Sequence, residues 1–404
     1  MSLDDFVQAR KDVPTSKGKK IKPSADWVPG VEIKGGRGSI TTNAIPQGNP
    51  NWNEWIDFWL GKNAHKDFYV REDEPVNFRT WDGWGENGIQ KFYYFKANIY
   101  ARKTNKYDDK ELKRLITNAK KKKADDRQRK SKNNKALVLC MSDWQVGKEG
   151  TEDMLDRFYK SLDNIDKHIK HLRKKYNDLD KLIIVGLGDL IESCSGHYAM
   201  QTFTTVLDER QQKTLARQML LDVFNKFSKD FNEVLGLCAL GNHGEKRIGT
   251  KAYTTFGDNK DGELFDEVAQ VLKADPSKKH VKFTIPDQSL AYSVEVLPGT
   301  VLTIAHGHQA KRGTTPAQRV ENWFNKMASK PSKGGFYATN ILLVGHYHHF
   351  WTKESERLML GATTLDSGSQ WFEENGGEKS IPGITTLVVH SNKDLRKWSD
   401  IEIL

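Results

Sequence analysis

Five short apolar runs in this chain each end in a residue type that can hold a metal ion. "ALVLCMSDWQ" (136–145) ends with Asp143 and Gln145, and "KLIIVGLGDLIE" (181–192) carries Asp189. "VLGLCALGNHGE" (234–245) carries Asn242 and His243. "VLTIAHGH" (301–308) reaches His306, and "NILLVGHYHH" (340–349) carries His346 and His348. Runs of four to eight apolar residues bounded by glycine read as strands buried on both faces. Ligands in open α/β sheets bind beyond the carboxyl ends of the strands. Of the 12 histidines, six (His243, His306, His308, His346, His348 and His349) fall in three of these segments. Taken singly, a Gly-Asp or Gly-Asn-His after a strand is an ordinary turn. Five strand ends in series predict one shared metal site.

Helical stretches alternate with these runs. Leu155, Phe158, Leu162, Ile165, Ile169 and Leu172 recur at steps of three and four, which predicts an amphipathic helix over 154–176 with Thr151 as its N-cap. "TLARQMLLDVFNKF" (214–227) predicts a second. The expected fold class from residue 136 onward is α/β.

The series Asp-x-(His), Gly-Asp, Gly-Asn-His, His, Gly-His-x-His resembles the calcineurin-like metallophosphoesterase superfamily over residues 136–404. The "SDxxVG" opening is also similar to that of double-strand-break repair nucleases and of the exonuclease subunit of archaeal D-family polymerases. Protein serine/threonine phosphatases in the superfamily follow Gly-Asp with a downstream Arg-Gly, which "GDLIESCSG" lacks. The resemblance implies two mixed sheets in a sandwich flanked by helices, and two divalent cations about 3.5–4 Å apart. By matched position, Asp143, Gln145, Asp189 and His348 would hold the first cation. Asp189, Asn242, His306 and His346 would hold the second, with Asp189 bridging. This donor set suits Mn first, with Fe, Zn or Mg as alternatives. Asp189 and His243 would be catalytic, His243 giving a proton to the leaving group. The sequence departs from the pattern twice. Gln145 stands where a histidine is expected, and Gly244 separates His243 from Glu245, the acid that would orient it. Glu245 is equally readable as a surface carboxylate. His197 is a candidate phosphate contact, as are Lys148, Lys246 and Arg247. His308 and His349 read as second-layer or solvent-facing.

The N-terminal third is not covered by the resemblance. Residues 1–135 hold 29 Lys and Arg against 18 Asp and Glu, while residues 136–404 hold 34 against 35. The net charge of +10 therefore belongs to the first third, which points to a polyanion, nucleic acid first. Residues 1–50 read as a flexible arm. Residues 51–105 read as a small aromatic-rich α+β module. Its Trp52, Trp55, Ile56 and Trp59 form one helix face, read as core, and "IQKFYYFKANIYARK" (89–103) forms a strand. Residues 106–135 read as a basic helical linker, and 136–404 as the catalytic domain.

The expected function is a two-metal phosphodiesterase, a nuclease on DNA or RNA. One alternative is a small-molecule enzyme, a cyclic-nucleotide phosphodiesterase or phosphomonoesterase. Another is a nucleic-acid-binding scaffold with a degenerate site. No membrane span is expected, and "MSLDDFVQARKD" has no apolar signal region. Three scattered cysteines fit a reducing cytoplasm. Related nucleases often dimerise, so a homodimer is a further expectation.

Overall fold

The computed structural model describes residues 27–404 apart from 35–36, 46–48, 67, 86–87, 102–109, 126–131, 133, 195, 199–200, 249–250, 253, 331–335, 367–380 and 392–395. Most of the arm expected over residues 1–50 lies outside these. The chain divides into two compact units, Met1–Ile33 with Arg37–Arg102, and Lys34–Gly36 with Lys103–Leu404.

Among its described residues the first unit is an antiparallel sheet with one α-helix and a 3-10 turn at Ala64–Lys66. It contains β1 (Gly30–Lys34), β2 (Arg37–Thr41), α1 (Trp52–Leu60), β3 (Phe68–Val70), β4 (Asn77–Gly85) and β5 (Gly88–Ala101). The long β5 organises it, pairing with β2, β3 and β4. On one face of β5, Phe95, Ala97 and Ile99 alternate into a core with Ile40 and Phe68. Asn51 caps α1 by accepting the Asn53 N–H at 3.2 Å. Of the expected stripe, Trp55 and Ile56 are buried and Trp52 and Trp59 half-buried.

The second unit opens with α2 (Lys110–Lys120), β6 (Lys135–Met141), α3 (Thr151–Lys175), β7 (Leu179–Gly186), α4 (Glu209–Ser228) and β8 (Glu233–Cys238). The two-residue strands β9 (Arg247–Ile248) and β10 (Lys251–Ala252), α5 (Lys260–Ala274), β11 (Val281–Thr284), β12 (Ala291–Leu297) and β13 (Thr300–Ala305) follow. The chain ends with α6 (Pro316–Ala328), β14 (Thr339–Val344), β15 (Trp351–Glu354), β16 (Leu358–Gly361), β17 (Thr385–His390) and β18 (Trp398–Ile403). The result is a mixed α/β protein. One sheet runs β11-β8-β7-β6-β17-β18 and the other β12-β13-β14-β16-β15. Their central strands are parallel.

The period of two along each strand builds three apolar layers. Ala136, Val138 and Cys140 of β6 meet Leu302, Ile304, Ile341 and Leu343 of the second sheet in the middle layer. Leu137, Leu139 and Met141 face the other way, into α3, α4 and α5. Leu342 and Val344 pack on Val320 and Phe324 of α6. The continuous apolar runs exist because these strands are covered on both faces.

Three local expectations change. The helix α2 is no free linker: Leu112 and Ala119 lie in the helix-side core, and Glu111 reaches the buried Arg217, which also pairs with Glu267 at 2.7 Å. The cap of α3 is Gly150, with a left-handed φ of 88°, and Thr151 is the first helical residue. The Thr151 hydroxyl instead accepts the Gly147 N–H at 2.9 Å and donates to the Lys148 carbonyl at 2.6 Å, which braces the loop carrying Gln145. The helix α4 starts earlier than its apolar periodicity, at a capping box of Asp208 and Gln211. Among the described residues no helix is long and apolar enough to cross a membrane.

Candidate metal centre

The loops after β6, β7, β8, β13 and β14 converge at the carboxyl ends of their strands. Pairing continues past the strands and zips the loops together. The Asp143 N–H donates to Gly188 O at 3.0 Å, Gln145 N–H to Asp189 O at 3.0 Å, and Gly345 N–H to His306 O at 2.9 Å. Two glycines allow this closeness: a Cβ on Gly241 would run into the Asp189 carboxylate, and one on Gly345 into Ser142 and Asp143.

Five of the seven expected ligand residues have left-handed backbones: Asp143 (φ 49°), Gln145 (44°), Asp189 (54°), His346 (71°) and His348 (59°). Such conformations cost a non-glycine residue about 1–3 kcal/mol each and persist where surrounding contacts over-determine them. The contacts here include a carboxylate beneath the site. Asp261, fully buried at the start of α5, accepts the N–H groups of Asp189 at 3.0 Å, Leu190 at 2.9 Å and Gly241 at 2.9 Å. Burial and the nearby Asp189 push its pKa up to about 6.

Ligand atoms of Asp189, His306 and His346 lie within 4.8 Å of one another. The His306 Nε2 is 2.9 Å from Asp189 Oδ2 and 3.1 Å from Asn242 Oδ1, while its Nδ1 faces the Leu187 carbonyl at 2.7 Å. The first half of the ligand set is looser. Asp143 Oδ2 accepts from the Ser142 hydroxyl and, at 2.9 Å, from the His346 N–H. His348 Nε2 sits 3.4 Å from Asp143 Oδ1. Gln145 Nε2 lies 3.4 Å from His243 Nε2, and its Oε1 accepts from Lys148 Nζ at 3.3 Å.

Electrostatics fits a cation site. Burial penalises the His306 cation, yet Asp189 and Asp143 outweigh this and raise its pKa to about 10. Burial would likewise raise Asp189, but His306 and His243 hold it well below the usual range. The His306 Nε2 thus faces a carboxylate oxygen and an amide oxygen, and a divalent cation would take these same three donors. Asp143 Oδ1 is buried with no hydrogen-bond partner among the described residues, as a ligand oxygen would be. Burial and repulsion from His306 push His346 down to about 4, leaving its ring neutral, the form that binds metal.

Sequence reasoning missed Glu192. His243 Nδ1 lies 2.9 Å from the Glu192 carbonyl and 3.4 Å from its fully buried carboxylate, which Tyr198 also contacts at 2.6 Å. Burial opposes a charge on His243, but Asp189 and Glu192 raise its pKa to about 9. Glu245, the residue expected in this role, instead pairs with Arg247 at 2.8 Å and lies 3.5 Å from His308. The only signal for Glu192 was an acid three residues after Asp189. His197 stacks flat on His243, with centroids 4.5 Å apart and planes at 3°. His308 rests 5.5 Å from the His306 ring, and His349 is half-buried.

No family model and no curated protein sequence matches this chain. Among solved structures, the chain is similar to a crystal structure of 5'-nucleotidase from Candida albicans SC5314, with 12% sequence identity and a TM-score of 0.25. That match covers 66% of this chain and 54% of the nucleotidase, and at so low a score it carries no argument about either fold or activity.

Proposed function

We propose that the second unit is a two-metal phosphoesterase of the calcineurin-like metallophosphoesterase type, acting on phosphodiester bonds of nucleic acid. The observation that carries this reading is the convergence of Asp189, Asn242, His306 and His346 at four strand ends, with Asp143 after β6 and His348 beside them. Bound there, two divalent cations, Mn first by donor type, would polarise a phosphoryl group and acidify a water. The protein's own groups do the rest. Asp189 offers two oxygens and the negative charge between the halves of the site. His243 holds its Nδ1 proton against Glu192 and turns Nε2 toward the site, placed to protonate a departing oxygen. His197 stacks on one face of that ring. Cys140, Cys194 and Cys238 form no disulfide among the described residues, which supports a reducing, cytoplasmic setting.

The reaction class is tested by a substrate panel with added Mn: a model diester, a cyclic nucleotide, and single- and double-stranded DNA. Hydrolysis of none of them would remove the reading. The substrate class rests on the basic first third and has its own test. Because α2 packs into the second unit, the deletion should remove residues 1–102 and no more. The shortened protein should still cleave a small diester, while its polynucleotide affinity falls and depends less steeply on salt, since fewer counterions are released. An unchanged affinity and slope would move the nucleic-acid surface to the second unit.

A further inference from the structure

The two halves of the centre are unequal, and a lysine lies at the weaker one. Asp189, His306 and His346 already gather their ligand atoms. At the other corner, the Gln145 carbonyl that a cation would need is 3.3 Å from the Lys148 ammonium. That ammonium is anchored by Asp366 at 2.6 Å and its side chain is only 22% exposed. Its backbone is fixed as well: the N–H donates to Gln145 O at 3.1 Å, the carbonyl accepts from Thr151, and the residue bridges to Thr205. The lysine therefore stays at this corner for structural reasons.

We propose that Lys148 sets the affinity of the first metal position, so that this chain holds one cation tightly and admits the second only at higher free metal. This rests on the two-cation reading above and assigns a role to a residue outside the ligand set. A glutamine carbonyl is neutral and binds metal less strongly than imidazole. Here it is also shared with a fixed positive charge, and like charges at such separations repel strongly where water is scarce. Asp366 offsets part of that repulsion. Lys148 thereby opposes the cation it neighbours, in contrast to a ligand, which would assist it. Removing a ligand loosens a metal; removing this ammonium should tighten one.

The test counts metal and needs no turnover. Apoprotein is dialysed against graded Mn²⁺, ions per chain are measured, and Mn²⁺ spin resonance reports when two ions sit close enough to couple. Wild type should bind one ion tightly and a second at least about tenfold more weakly. Lys148→Met should tighten the weaker ion, the one at Gln145, at least about tenfold and leave the tighter ion unchanged. Lys148→Arg, which keeps the charge, should leave the second weak, and Lys148→Gln serves if the Met form does not fold. Two equally tight ions in wild type would overturn the proposal, as would a Met or Gln form whose second ion binds no better. If those results came with intact diester hydrolysis, the phosphoesterase reading would stand. No Mn²⁺ on any form would overturn both.

Discussion

Asp189→Asn should lower hydrolysis to below about one-thousandth of the wild-type rate and weaken both cations together. The substitution keeps size and removes one charge. Asp189 Oδ1 accepts the His243 N–H at 2.7 Å, and Oδ2 faces His306 Nε2 at 2.9 Å. An asparagine has a single oxygen, so its NH₂ group must point at one of two donors. Either orientation loses a hydrogen bond and leaves two cations less well neutralised. Folding should survive at reduced stability, because the apolar layers hold the fold while His306 and His243 lose their nearest counter-charge. Circular dichroism checks the fold, and metal content is measured beside single-turnover rate. A variant that retained a tenth of the rate with its metals bound would rule out a bridging role for Asp189.

Glu192→Gln should cost about a hundredfold in turnover on natural diesters, the size of one general-acid contribution, with metal content unchanged. The neutral amide removes one of the two charges, with Asp189, that raise the His243 pKa, and takes the carboxylate away from its Nδ1. The effect should depend on the leaving group. A nitrophenyl diester departs without protonation and should lose little, whereas an alkyl leaving group should show the full loss. His243→Gln should reproduce the same pattern. Equal losses on both substrates would mean that Glu192 acts through the fold and not through a proton on His243.

The parts legible in the sequence were those encoded by short-range pattern. "ALVLC" and "ILLV" announce strands because both of their faces are covered, and a strand's end fixes where the next residue stands. Asp143, Asp189, Asn242, His306 and His346 could therefore be placed at one edge by local arithmetic alone. Glu192 and Glu245 could not be separated that way. Each lies three residues from a ligand on a loop, and which one turns toward His243 depends on packing by Tyr198 and Gln201. Asp261 was invisible for the same reason, since it reaches the site from 72 positions beyond Asp189. In α2, basic composition masked two apolar positions that bind it into the core. Thr151 shows how a hydroxyl near a helix start can brace the preceding loop and leave the cap to glycine.

The left-handed residues at 143, 145, 189, 346 and 348 have a consequence for how such a protein can be altered. At about 1–3 kcal/mol each, their combined cost is comparable to the entire net stability of an ordinary domain. Glycine at any of them would relax the chain and remove a donor. Durability and chemistry thus pull on the same five codons in opposite directions. A library screened only for heat tolerance, in the presence of a chelator, should accumulate glycine or asparagine at 145 and 348 and lose the metal centre before it loses the fold. Sequencing the survivors would read this directly, and retention of Gln145 and His348 through such a screen would mean that their contacts already offset the strain.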